Sequence, residues 1–221
     1  MQILVTDVTE MGGGNHCVAG WDGQGQRMIR PLPNGGNWSA GLIGLHGIRP
    51  GITINVAPSG VANGQYPHRT EDTPINPALI QVVNAGPPNW LGHGSPSRAG
   101  TVPEAFNGNV VGNGQWNGRV TGAHVPVDTH SRSLWGLEID RVSLSFVEDF
   151  GKLKAVVNDG ENAYIISVSA QNLKAAYRAG GAGAANSALP NGGRLHVRLG
   201  LARAWSGQPD KCYVMVNGVY W

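Results

Sequence analysis

The 221-residue chain carries 16 Lys and Arg against 14 Asp and Glu, a formal net charge of +2, and 41% of its residues are hydrophobic. This composition excludes a polycation that coats nucleic acid and supplies enough apolar side chains for a core that needs no disulfide staples. The 34 glycines and 14 prolines follow no Gly-X-Y period and indicate many short elements joined by tight turns rather than long helices.

Membrane and secretion signals are missing from the sequence pattern. No segment approaches the roughly 20 apolar residues that span a bilayer, and the opening residues lack the basic and apolar regions of a signal peptide. We therefore expect a cytoplasmic protein without a membrane partner. Cys17 and Cys212 lie far apart in strand-like contexts, without the paired spacing of a zinc site. They are predicted to be reduced thiols, with a disulfide between them as the alternative.

The first 86 residues predict a strongly bent β-meander that is compatible with a small closed barrel. Gly12, Gly13 and Gly14 turn the chain after the first strand, and Asp22-Gly23 begins the next hairpin turn. The predicted strands are "QILVTDVT", "HCVAGWD", "RMIRPLP", "ITINVAPSG" and "LIQVVNAGPP".

Residues 87–130 have weak periodicity and many Gly, Asn, Pro and Ser residues. A structureless loop of this length is uncommon inside a compact domain, so we interpret the segment as a connector between two halves. Trp90 and Trp116 lie within it. They either stack on bases or sugars or pin the segment onto the barrels, and the pattern favours pinning.

Residues 131–221 return to strand patterning and predict a second small barrel. One helix is predicted at "SAQNLKAAYRAGGAG", with Ser169 as its N-cap and glycines 180, 181 and 183 ending it. The strands fall in "SLWGLEIDRVSLSFVED", "GKLKAVVND", "AYIISVS", "RLHVRLGLARAW" and "KCYVMVNGVYW".

Several short motifs resemble one protein family. The opening order of "ILVTDVTEM", "HCVAGWD" and "RMIRPLP" is similar to the start of the bacterial dual OB domain-containing proteins. Further similar segments are "PHRTED" at 67–72, "RSLWGLEIDRVSLSF" with "GKLKAVVNDGENAYIISVS", and "KCYVMVNGVYW". The tryptophan in "SLWGLEI" and the long glycine-rich middle depart from the family pattern.

The resemblance implies two OB-like barrels. Together with the sequence pattern, it leads us to predict a mainly β chain of two small OB-like barrels packed together, with one short helix in the second and a long Gly/Asn-rich connector. It also implies a nucleotide- or nucleic-acid-binding role that has been suggested for prokaryotic conflict and defence systems. It implies no catalytic residues.

Candidate ligand residues on the first barrel are Trp21, Arg27, Arg30 and His16. OB folds bind ligands on the face of their second and third strands, where tryptophan offers a stacking platform and arginine a phosphate contact. Arg27 and Arg30 are three residues apart on a strand, so at most one of them faces a given side. The alternative is that Trp21 caps the barrel while Arg30 pairs with an acid such as Asp22 or Glu10.

On the second barrel, the candidate residues are Arg198, Arg203 and Trp205. The run "HVRLGLARAW" alternates basic with apolar residues up to Gly200, which favours a strand with one basic face. The sequence therefore predicts a non-enzymatic module that binds a nucleotide or single-stranded nucleic acid, without a cofactor or a metal ion.

Two other functions remain open. His124, Asp128 and His130 offer three potential ligands for a metal-assisted hydrolase or nucleotide-processing enzyme, although their spacing matches no closed metal motif. Surface tryptophans also suit a scaffold that binds a partner protein or a second copy of the chain. The adjacent His16 and Cys17 face opposite sides of a strand, which is poor geometry for a catalytic pair.

Overall fold

The computed structural model describes residues 1–60, 64–84, 99–129 and 132–221 and is mainly β, as predicted. The chain divides into two compact units, residues 1–96 and 97–221. This boundary falls inside the predicted connector, and the described residues 99–129 contribute elements to the second unit. Trp90 and His130 lie outside the described residues.

The first unit contains a seven-stranded sheet and one short helix. Helix α1 was not predicted; Ser39 caps it by accepting a hydrogen bond from Leu42 N, and Gly47 ends it in the left-handed region with φ 58°. The elements are β1 (Gln2–Glu10), β2 (Asn15–Asp22), β3 (Arg27–Pro33), β4 (Trp38–Ser39), α1 (Ala40–His46), β5 (Thr53–Asn55), β6 (Asp72–Ile75) and β7 (Gln81–Asn84).

The first sheet curls, and β1 is an interior strand that pairs on both sides. Its start pairs with β5, and most of its length pairs with β2, with an irregularity between Val5 and Asp7. The strand order is β6-β3-β2-β1-β5-β7, and β3 and β6 run parallel. Beyond β5, Ser59 N donates to Pro74 O at 2.9 Å, so the chain following β5 also contacts β6.

The core of the first unit lies inside this curl. Buried isoleucines and valines from β1, β3, β5 and β6 surround Trp38, which is fully buried and donates Nε1–H to Pro31 O at 2.7 Å. The predicted strands at the start of the chain coincide with β1, β2 and β3. As predicted, the three glycines form a turn between β1 and β2, with Gly13 and Gly14 at positive φ.

The second unit contains a nine-stranded sheet and two helices. Its elements are α2 (Val102–Ala105), β8 (Gly114–Trp116), β9 (Arg119–Thr121), β10 (His124–Pro126), β11 (Leu134–Asp140), β12 (Leu144–Asp149), β13 (Lys152–Asn158), β14 (Ala163–Val168), α3 (Gln171–Ser187), β15 (Arg194–Leu201) and β16 (Lys211–Tyr220).

The second sheet also curls. Its main order is β11-β15-β16-β14-β13-β12, with β14 and β16 parallel. Because β11 and β12 follow each other directly in the chain, the two edges of this order are joined by only three residues, Arg141–Ser143. The β8–β9 hairpin adds to the sheet through β9, which runs parallel to the first half of β14.

Helix α3 corrects two details of the sequence prediction. Its N-cap position is Ala170, while the Ser169 hydroxyl donates to Asn217 Oδ1 at 2.8 Å, so Ser169 does not cap the helix. Gly181, at φ 68°, breaks the helix, but a second helical segment continues to Ser187. That segment is held to β12 because the Asn186 amide both donates to and accepts from the backbone of Phe146 at 2.8 Å.

In the described ranges of the chain, none of the helices combines the length and the apolar character that crossing a bilayer requires.

Candidate nucleic-acid interface

Arg30, a predicted ligand residue, is buried in the first unit with only 5% of its surface exposed. Its Nη1 contacts Asp72 Oδ1 at 2.8 Å and its Nε donates to Cys17 Sγ at 3.2 Å. Burial lowers the pKa of Arg30, but Cys17, Asp72 and Glu71 together raise it above its ordinary value. The guanidinium therefore ties β3 to β6, and the acid that pairs with it is Asp72 rather than Asp22 or Glu10.

The other predicted residues of the first unit do not form a shared surface with Arg30. Arg27 is exposed at the start of β3, as expected for a residue on the side opposite Arg30. Trp21 is half-buried on β2 across from Met28. His16 is buried, and its strand partner on β4 is Trp38. A surface that combines Trp21 with Arg30 is therefore absent from the described first unit.

The predicted residues of the second unit separate into one buried and two exposed positions. Arg198 is fully buried on β15, where both of its strand neighbours, Gly136 and Gly218, lack a side chain. The alternating pattern suggested a solvent-facing arginine, but β15 is an interior strand that is buried on both faces from residue 195 onward. Arg203 and Trp205 lie in the β15–β16 loop, and Trp205 is 60% exposed.

The predicted metal-ligand set is not assembled among the described residues. The His124 ring is buried, with Nδ1 donating to Gly122 O at 2.8 Å and the ring packed 5.7 Å from that of Tyr213. Asp128 is exposed, at φ 65°. Within the ranges that the structure describes, no three His, Cys, Asp or Glu side chains are grouped to hold a metal ion.

Both cysteines are free thiols in the structure. Cys212 is fully buried, and burial raises the pKa of its thiol. Cys17 is half-buried beside Arg30.

A basic and aromatic surface lies on the second sheet, where the sequence prediction did not place one. Trp116 on β8 is paired with Arg119 on β9. Arg119 is in turn paired with Ala163 on β14, and Ala163 is paired with Asn158 on β13. Residues directly opposite in neighbouring strands project to the same side of a sheet. We call this side the outer face; its polar and aromatic members on these four strands are Trp116, Arg119, Thr121, Lys152, Lys154, Asn158 and Ser167. On the neighbouring β12, Asp149 is paired with Lys152 on the same side.

The outer face continues along β13 because alternate residues of a strand share a side. Lys152 and Lys154 follow the same alternation as Asn158, while Leu153, Ala155 and Val157 are buried on the other side. Lys154 Nζ donates to Ser167 Oγ at 2.9 Å across the β13–β14 pair. Burial lowers the pKa of Lys154; Asp149 opposes that shift and Lys152 adds to it.

Trp116 is the aromatic group of this face. It is 59% exposed, so it does not pin the 87–130 segment onto a barrel as the sequence analysis favoured. The hairpin that carries it turns at Asn117 and Gly118, with φ of 50° and 72°. An Asn-Gly pair is the strongest short-range hairpin signal, so "QWNGRV" contained the information needed to find β8 and β9.

A cleft of about 310 Å³ adjoins the outer face at the start of β13. Lys152 and Ser167 belong to both, and α3 contributes Lys174, Tyr177 and Arg178. Three of the four lysines of the chain therefore lie on the outer face or in this cleft. Glu148 accepts a hydrogen bond from Tyr177, which raises the pKa of the phenol.

Phe150 lies at the turn between β12 and β13, immediately before the cleft residue Gly151. Its side chain is 96% exposed and its φ is 48°, a conformation that non-glycine residues rarely adopt. An aromatic ring in this position is costly to hydrate and has no packing role, but it is available to stack on a planar ligand.

No protein-family profile matches this chain, and no curated protein sequence matches it. Its function therefore has to follow from the chemistry of the site itself.

Proposed function

We propose that this protein binds single-stranded nucleic acid, without catalysing a reaction, on the outer face of its second sheet. The observation that carries the proposal is the strand register that aligns Trp116, Arg119 and Lys154 on one side of four adjacent strands. From β8 to β13 this face spans three strand spacings, or about 14 Å. Stacking on the aromatic ring and neutralisation of phosphates by the cations are the two interactions that non-specific single-strand binding requires.

We infer that each unit is an OB-like barrel, which is a five-stranded Greek-key design. In the second unit, β11 with β12 supplies a long first strand, and β13, β14, β15 and β16 supply the other four. The third and fifth strands in that count are parallel, and α3 connects the third to the fourth. In the first unit, β1, β2, β3, β5 and β6 follow a similar order, with the third and fifth strands again parallel and α1 in the place of α3.

This assignment supports the location of the binding surface. OB barrels bind oligonucleotides on their second and third strands and on the loops after the first and fourth strands. In the second unit those strands are β13 and β14, the first loop carries Phe150, and the last loop carries Arg203 and Trp205. The equivalent face of the first unit carries the buried Arg30 and is not part of the proposed surface.

Binding is tested by fluorescence anisotropy with a labelled 12-nucleotide DNA, the same RNA and the matching duplex, each at two salt concentrations. Trp116→Ala is expected to weaken binding of the single strand by about 1–3 kcal/mol, or roughly 5- to 150-fold in Kd, because one stacked base is lost. Trp221→Ala is the matched control, since Trp221 is 58% exposed in the same unit but lies off the outer face. Its Kd is expected to stay that of the unmodified protein.

The proposal is overturned if none of the three nucleic acids shows saturable binding. Equal losses in the two tryptophan variants would remove the outer face as the binding surface. Membership of the dual OB domain-containing family, a cytoplasmic location and a role in prokaryotic defence stay predictions that accompany this proposal.

A further inference from the structure

We propose that the cleft between the Phe150–Gly151 turn and α3 binds a terminal phosphate monoester of the strand that lies on the outer face. This inference rests on the proposed function, because the outer face leads into the cleft through the two residues they share, Lys152 and Ser167. A single-stranded nucleic acid that crosses the sheet toward β13 therefore reaches the cleft with its end.

The charges around the cleft favour a dianion. Lys174 and Arg178 are four residues apart on α3 and so lie on the same side of the helix, facing Lys152 from the sheet. Lys154 adds a fourth cation nearby. Two carboxylates also act in this region: Asp149 acts on Lys154, and Glu148 holds the Tyr177 hydroxyl.

The shape of the cleft favours the terminus of a nucleic-acid strand over an internal segment that passes through it. Its volume of about 310 Å³ is at the small limit of ligand pockets and suits a phosphate with part of its sugar. The buried residues Leu153 and Val168 line it together with Lys174, Tyr177 and Arg178 of α3. A monoester offers three acceptor oxygens and a charge near −2, whereas an internal phosphodiester has a single charge and a chain on both sides.

Phe150 completes the site with an aromatic surface for the terminal base. Its ring is exposed at the turn that borders the cleft, so a terminal nucleotide could place its phosphate among the cations while its base contacts the ring. The ligand chemistry is that of a phosphate monoester, which either a strand end or a free mononucleotide carries.

The test compares three 12-nucleotide DNAs of one sequence that carry a 5′-phosphate, a 3′-phosphate or hydroxyls at both ends. One phosphorylated strand is expected to bind the intact protein about tenfold more tightly than the hydroxyl-ended strand, because charge-assisted hydrogen bonds to the monoester are added. The double variant Lys174→Ala with Arg178→Ala is expected to reduce this ratio to about one. The ratio is the readout, and it needs a control for general charge, because the phosphorylated strands carry up to about two more negative charges than the hydroxyl-ended strand.

Equal binding of all three strands to the unmodified protein overturns this inference and leaves the proposed function intact, whereas absence of binding to every strand removes both. Retention of the ratio in Arg194→Gln, which removes an exposed arginine of the same unit, shows that the effect belongs to the cleft. A separate titration with a nucleoside monophosphate identifies the source of the phosphate. Binding tighter than that of the phosphorylated strand makes the free nucleotide the ligand and overturns the strand-end assignment.

Discussion

Lys154 is held in an environment that disfavours its charge. Its side chain is half-buried on the outer face, where Ser167 Oγ accepts its hydrogen bond and Lys152 adds like charge, while Asp149 partly compensates. A lowered lysine pKa means that the folded protein binds the proton less well than the unfolded chain does. Such a residue costs folding free energy at neutral pH, which is expected of a group that serves binding rather than the fold.

The variant Lys154→Met is expected to weaken single-strand binding while its free energy of unfolding at pH 7 does not fall below that of the unmodified protein. The burial penalty is fully present below the lowered pKa of Lys154 and is relieved as the pH rises through that pKa toward 10.5, the value for an exposed lysine. As the pH rises through this window, the free energy of unfolding of the unmodified protein should therefore increase relative to that of the variant. Urea unfolding of both proteins at several pH values measures the difference, and a gap that stays constant with pH contradicts it.

At the scale of elements, β6 joins the first sheet through its parallel pairing with β3 and through a buried ion pair. Arg30 N donates to Glu71 O at 2.8 Å, and the Arg30–Asp72 pair connects residues 42 positions apart in the chain. β6 contains Pro74 and only four residues, so its own strand propensity is low. The position of β6 is therefore determined by the ion pair and the parallel register with β3, and not by the strand propensity of its own sequence.

Asp72→Ala is expected to destabilise the protein by about 3–5 kcal/mol, because it leaves the Arg30 guanidinium buried without its partner carboxylate. Asp140→Ala is the matched control, since Asp140 forms an exposed ion pair with Arg194 at 3.1 Å and its loss should cost no more than about 1 kcal/mol. Urea unfolding measures both variants, and Asp72→Asn, which keeps a hydrogen-bond acceptor, provides an intermediate case if Asp72→Ala does not fold. Similar small costs for Asp72→Ala and Asp140→Ala would falsify a structural role for the buried pair.

At the scale of the whole molecule, a net charge of only +2 hides a local concentration of positive charge. Arg119, Lys152 and Lys154 lie on the outer face, and the cleft adds Lys174 and Arg178. Attraction to a polyanion should therefore come from one surface of the second unit rather than from the protein as a whole.

Salt dependence gives the measurement at this scale. If the three cations of the outer face each neutralise one phosphate of a single strand, a plot of log K against log salt concentration should have a slope of about −2. Lys152→Ala is expected to make the slope shallower by roughly 0.7. Arg194→Gln should leave it unchanged, because Arg194 is paired with Glu138 and Asp140. A slope near zero for the unmodified protein would exclude phosphate neutralisation as the source of affinity.

Local signals in the sequence were enough to predict several of the strands and turns. Alternation of apolar residues predicted β1, the bracketing turns predicted β2, β3, β13 and β14, and three consecutive glycines predicted the turn between β1 and β2. These features depend on the side-chain period of a strand and on the steric freedom of glycine, both of which operate over a few residues. The Asn117-Gly118 turn was equally local and was available in the sequence, although the prediction did not use it.

The side of each strand that is covered could not be predicted from local signals, because it depends on how distant segments pack. Arg198 and Lys154 both lie in alternating strand sequences, yet Arg198 is buried on an interior strand and Lys154 reaches the outer face. Likewise, Trp116 joins Lys154 on one surface only because β9 pairs with β14, more than 40 residues further along the chain. Burial and strand partnership depend on contacts between distant segments, so the position of the binding surface follows from the fold and not from the local pattern.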